Sequence, residues 1–391
     1  MGRLVRTILF LFLLVAALAI FSFGCALPAD FDVSLKQITQ PHLFSILRWE
    51  AGILPREISG AISGADKTLT GIEEVIAYFD TIKHVGRADS LANSELRVSS
   101  PKEVVERTLE RQIREVLTEQ GIFNPLHFYS RFEMGFPPVN FRLDKPPSVL
   151  VVSPRERIES IREITLHADI LQAHIEEIEG EVEKLGFSSI VTPLGGFAGT
   201  YPSFVTDDAD LRFTLDAAIE EWLHQYLAFK PLGFRYLLDV TGISRNYEIA
   251  TINEAAVGIV SREIGASVME KYYSSHIPAE DIQDNGFDFD NEMREIRKTV
   301  DLMLSEGRID EAEKFMEEKR HYLAENGYLI RKLNQAYFAF HGTYADRPDS
   351  VSPIGAELRE LRAKSGSLAE FLETVAAVTS RQDLQYLLKQ N

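Results

Sequence analysis

The densest chemistry in the chain lies in AAIEEWLHQYL, residues 217–227. On a helix, Glu220 and His224 are four apart and project from one face, with Glu221 one step round. Ile219, Trp222, Leu223 and Tyr226 supply the apolar side that docks such a helix on a core. Two ligands one turn apart on a rigid helix, with a carboxylate beside them, can hold a metal ion and deprotonate the water bound to it. A third ligand must come from elsewhere. TINEAAVGIVSREIG, residues 251–265, offers Glu254 near the start of the next long helix, with Glu263 further along. Hydrolysis of an amide also needs a donor for the developing oxyanion. Tyr337 and His341, followed by Tyr344, recur at helical spacing in NQAYFAFHGTYADRP, residues 334–348, and serve as candidates. Aromatic residues at that spacing also suit a core. Gly195-Gly196 suits either a tight turn or the close approach of a substrate backbone.

This pattern resembles the gluzincin metallopeptidases, whose motif is HExxH on one helix and a ligating Glu, often in an Asn-Glu-Ala-like setting, on a following helix. Asn253-Glu254-Ala255 matches the second part, Glu221 the catalytic glutamate and His224 the second histidine. The likeness covers roughly residues 188–270. It implies a zincin-like domain with one zinc ion, and a substrate-binding edge strand at residues 195–206. The departure is Glu220, which stands where the family has its first histidine. A Glu/His/Glu set carries two ligand charges, lowers the Lewis acidity of zinc and suits a harder ion such as manganese or iron.

The same residues support two other readings. Glu221-x-x-His224 and Glu318-x-x-His321, with Glu254 between them and Glu176 or Glu179 ahead, follow the order of a ferritin-like di-iron carboxylate bundle. A chain that lost a ligand at position 220 can also persist as a non-catalytic envelope interaction protein on a degenerate zincin fold.

The elements that must position these residues are read from periodicity and breakers. Residues 36–120 read as mostly helical. Val139–Leu143 and Ser148–Val152, set among Pro137-Pro138 and Pro146-Pro147, read as strands. A helix is expected over 157–186, and one or two strands with a glycine turn over 188–206. Helices follow at about 213–229 and 247–273, and again through most of 288–391. The expected class is α+β, predominantly helical. The expected division is residues 1–28 as signal or anchor, 29–134 as a helical region and 135–391 as the zincin-like domain.

Arg3 and Arg6 precede an uncharged apolar run from Thr7 to Leu27. That pattern fits an uncleaved transmembrane anchor, a secretory signal cut after Ala26, or a lipoprotein box with Cys25 lipidated. Each places the chain on the extracytoplasmic side of the cell envelope, with a peptide or protein substrate there and membrane attachment through this segment. The net charge of −18 disfavours nucleic acid, since phosphate backbones are repelled. Cys25 is the single cysteine, so an intrachain disulfide is impossible. Gly-x-Ser-x-Gly and Walker-type motifs are missing, which leaves nucleophilic-hydrolase and nucleotide-dependent chemistry without support.

Overall fold

A computed structural model describes residues 29–46, 49, 71–88, 102–122, 137–276, 286–347 and 350–390. Three helices come first: α1 (Ala29–Thr39), α2 (Ile72–Ala88) and α3 (Lys102–Glu119). Then follow β1 (Phe141–Leu143), β2 (Ser148–Pro154), β3 (Arg162–Leu166), α4 (Gln172–Lys184), β4 (Phe187–Pro193), β5 (Gly196–Phe197) and β6 (Ser203–Val205). The remainder is helical: α5 (Leu211–Leu227), α6 (Pro231–Val240), α7 (Tyr247–Tyr273), α8 (Phe289–Ser305), α9 (Ile309–Glu325), α10 (Gln335–His341), α11 (Pro353–Lys364), α12 (Leu368–Ala376) and α13 (Arg381–Gln390). The molecule is therefore α+β and mostly helical.

The described strands form two three-stranded sheets. In one, β2 is central and pairs antiparallel with β3 and β4, with Leu150 opposite Ile164 on one side and Val191 on the other. Alternation along β2 sorts its side chains by face. Leu150 and Val152 pack with Ile178 and Val182 of α4 and Phe31 and Leu35 of α1. Val149 and Val151 turn the other way, onto Ala336 of α10. The second sheet has the order β1-β6-β5, with β5 at its edge.

The helix expected over 157–186 is replaced in its first part by β3. Residues 162–166 lie beside β2 with their backbone groups in its ladder, and Ile164 and Leu166 bury against α4. Only Gln172–Lys184 becomes helix. A short apolar run reads equally as helix or strand until a partner strand satisfies its backbone.

The central core joins α2 and α3 to α5, α7 and α11 to α13 through residues such as Val105, Leu109, Leu215, Leu223, Ile252, Val260, Leu361 and Phe371. Within α7, the residues from Ile249 to Ser261 are all buried, so that helix is enclosed on every side. The expectation of a membrane-crossing helix is corrected: among the described residues no helix is long and apolar enough to cross a membrane. The Thr7–Leu27 run, with Cys25, lies outside the described residues.

Candidate metal centre

Helix α5 is fixed at both ends before it presents any chemistry. The Asp210 side chain caps its start by accepting from Phe213 N at 2.7 Å. Trp222 Nε1 donates to Pro137 O at 2.8 Å, and Gln225 Nε2 donates to Thr200 O at 2.9 Å. These bonds tie neighbouring positions near the end of the helix to the loops that flank the second sheet. Glu220, Glu221 and His224 are then set by helical period alone.

Helix α7 starts at Asn246, whose side chain accepts from Ile249 N at 3.1 Å. The turn before it is tied back by Asp239, whose Oδ1 accepts from Asn246 N at 2.5 Å. That short return makes α6 and α7 neighbours and brings Tyr236 across from Glu254. Ala255 and Ala256 are buried side chains small enough to let neighbouring helices approach closely.

Glu220, His224 and Glu254 converge, each offering a ligand atom within 4.8 Å of the others, a set that can hold a metal ion. His224 Nε2 lies 3.6 Å from Glu254 Oε2. Tyr236 donates its hydroxyl to Glu254 Oε1 at 2.5 Å, and its ring stacks on the His224 ring at 5.4 Å. The His224 and Glu254 side chains are only 11% and 9% exposed. Glu221 is 8% exposed. Glu254 Oε2 and His224 Nδ1 are buried without a hydrogen-bond partner. Orphaned buried polar atoms are costly, and a cation held between the three ligands would satisfy the carboxylate.

The electrostatics agree. Burial, then the Glu254 carboxylate, pushes the Glu220 carboxyl up to about 7. Burial also lifts Glu221 to about 8, against the pull of His224. For His224, burial acts downward, but Glu254 and the two α5 carboxylates outweigh it and raise the imidazole to about 9. Glu254 goes the other way: burial raises it, but His224 and the Tyr236 hydroxyl prevail and hold it below the usual carboxylate range. Three carboxylates and one imidazole thus share one buried space, and the protons they retain offset part of their mutual repulsion. A divalent ion would do so more completely.

Glu221 lies beside that set, on the side of the second sheet. The Ala198 N–H donates to its carboxylate. A Cβ placed on Gly196 would run into that carboxylate, meeting Glu221 Cγ at 2.7 Å. Gly196 is therefore required for the close passage of β5 over α5.

The predicted donors separate. Tyr337 and His341 pack against each other with tilted rings 4.3 Å apart and line a cavity of about 260 Å³ with Tyr247, Met293 and Arg297. Glu220, His224 and Glu254 are not among the residues of that lining. Burial and the Arg347 charge lower His341 to about 4, so its ring is neutral at pH 7. Tyr344 instead feels the site: burial, then Glu254, Glu220 and Glu221, push its hydroxyl far above the ordinary tyrosine range. Tyr236 was not legible in the sequence. Its only signal is the short α6–α7 connection, which makes the two helices adjacent.

The second Glu-x-x-His stands apart. Glu318 and His321 lie on α9 with side chains each 64% exposed, and His321 pairs with Glu317 at 3.0 Å. Glu179 is buried, but Arg331 and Lys332 hold it. Comparison of the chain with protein-family models, curated proteins and solved structures gives no match.

Proposed function

We propose that the chain is a metal-dependent peptidase that binds one divalent ion, zinc, through Glu220, His224 and Glu254. The supporting observation is the position of Glu221, held between this ligand set and Gly196 on the edge strand β5. When bound, the ion polarises a carbonyl and lowers the pKa of water. The chain's own residues supply the remaining steps. A peptide added along β5 continues the sheet by main-chain hydrogen bonds, which brings a scissile amide over α5. Glu221, poised near neutrality by burial, takes a proton from the attacking water and passes it to the leaving amine. Tyr344 is the donor we assign to the oxyanion, because the turn that carries it packs on α7 one helical turn from Glu254 and burial keeps its hydroxyl protonated. Tyr236 holds Glu254 in orientation, as outer partners of metal ligands do. Glu220 adds a second ligand charge, which leaves manganese or iron as the alternative ions.

Metal analysis of the purified protein tests this directly. About one equivalent should bind to the native chain and be lost in Glu254→Ala, while Glu221→Gln keeps the ion and loses peptide cleavage by roughly 10²- to 10⁴-fold. Equal metal content in native protein and Glu254→Ala, or none in either, would sink the reading. Metal retained with no cleavage, unchanged by Glu221→Gln, would favour a non-catalytic role.

A further inference from the structure

The turn after α10 is held against the metal site by two glycines. Gly258 lies one helical turn beyond Glu254 on α7, and a Cβ there would meet the Asp346 carboxylate at 2.7 Å. A Cβ on Gly355 of α11 would collide with the Ala345 carbonyl from the other side. The Asp346 side chain is 1% exposed and takes the Arg262 guanidinium, while Arg359 Nη1 donates to Asp346 O at 3.1 Å. Residues 345 and 346 are thus clamped between two helices. The residues on either side, Tyr344 and Arg347, are carried with them.

Arg347 is exposed, and its guanidinium lies over the Tyr344 ring at 4.8 Å. Its backbone N donates to Tyr344 O at 3.1 Å, which fixes the stack. It forms no ion pair among the described residues, although acidic side chains outnumber basic ones 59 to 41. It directly follows Asp346, which packs on Gly258 one helical turn from Glu254, so the turn carries this exposed cation to the side of α7 that bears the ligand. A guanidinium stacked on an aromatic face keeps its edge N–H donors free in a planar fork that matches a carboxylate. The rest of the site is acidic, and an anionic substrate could enter only where such a cation compensates.

We propose that Arg347 is the specificity-determining residue of this site and that it binds a carboxylate of the peptide substrate, either the C-terminal one or that of an acidic side chain. The inference rests on the peptidase reading above and names its substrate class. Three probes separate the two sources: N-acetyl-Ala-Ala-Phe-Leu with a free C-terminus, its C-terminal amide, and that amide with Glu in place of Leu. Binding to the zinc-loaded full chain is measured by calorimetry, and cleavage by chromatography. One or both carboxylate probes should bind roughly tenfold tighter than the plain amide. Arg347→Gln should bring that ratio close to one, and Arg347→Lys should restore part of it. Equal binding of all three probes, or a preference that survives Arg347→Gln, overturns the assignment. Cleavage with no carboxylate preference leaves the peptidase standing and removes Arg347. Preferential binding without cleavage keeps Arg347 and removes the peptidase.

Discussion

Helices α5 and α9 carry the same Glu-x-x-His spacing, and only one of them is part of a site. On α5, Glu221 and His224 sit 8% and 11% exposed, with Glu254 across from the histidine. On α9, Glu318 and His321 stand 64% exposed, and the histidine pairs with a glutamate of its own helix. Water screens the second pair, and its partners are interchangeable. The first pair has lost water on nearly every side, so each of its groups must find a fixed partner or keep its proton. A spacing motif becomes chemistry when a second element arrives with a complementary group and excludes solvent.

Paired substitutions can break this contrast. The largest effect is expected from His224→Ala, which should lower zinc affinity by more than about 100-fold in a direct titration, beyond the cost of losing an outer-shell partner. Tyr236→Phe removes the hydroxyl that orients Glu254 and should cost about tenfold to a hundredfold in the same titration. If it costs nothing, the packing of α6 against α7 orients Glu254 without that hydrogen bond.

A pH series sharpens the comparison without mutation. Glu220 and Glu221 are raised, so ionising them disfavours the metal-free fold as pH climbs from about 5 to about 8. His224 is raised too, so the stability its cation contributes is full below about 6.5 and is lost as pH passes about 9. Glu163, Tyr344 and Arg347 also face this space, and the two signs named above agree. The melting temperature of metal-free protein should therefore fall from pH 5 to pH 9, and added zinc should raise it most at the alkaline end. A flat profile would mean that the cluster is solvated. The smallest effect belongs to His321→Ala, which should leave both metal affinity and melting within experimental error. A loss of metal in that variant would revive the di-iron arrangement.

The fold was legible where periodicity is long. The span of α7 is the one expected, 247–273, because a helix of that length repeats its pattern many times. Helix α5 differs from the expected 213–229 by two residues at each end. The strands β1, β2 and β4 followed from proline punctuation and β-branched residues. Residues 162–166 read as helix in sequence because an apolar run that short has no decisive period, and only the ladder to β2 settles it.

For the site, the sequence by itself determined that Glu220 and His224 share a helical face and that Glu221 turns off it. It also supplied Asn253-Glu254-Ala255 on the next long helix. These are consequences of local backbone geometry, which a run of residues carries without help. Tertiary structure alone decided that Glu254 lies 3.6 Å from His224 and that Tyr236 holds it. It also decided that Gly196 lets an edge strand pass over Glu221, and that the turn carrying Tyr344 and Arg347 packs on α7 near Glu254 while Tyr337 and His341 line a separate cavity. Those facts depend on how closely helices and loops approach one another. That approach is set by buried alanines and glycines whose roles appear only when their neighbours are known.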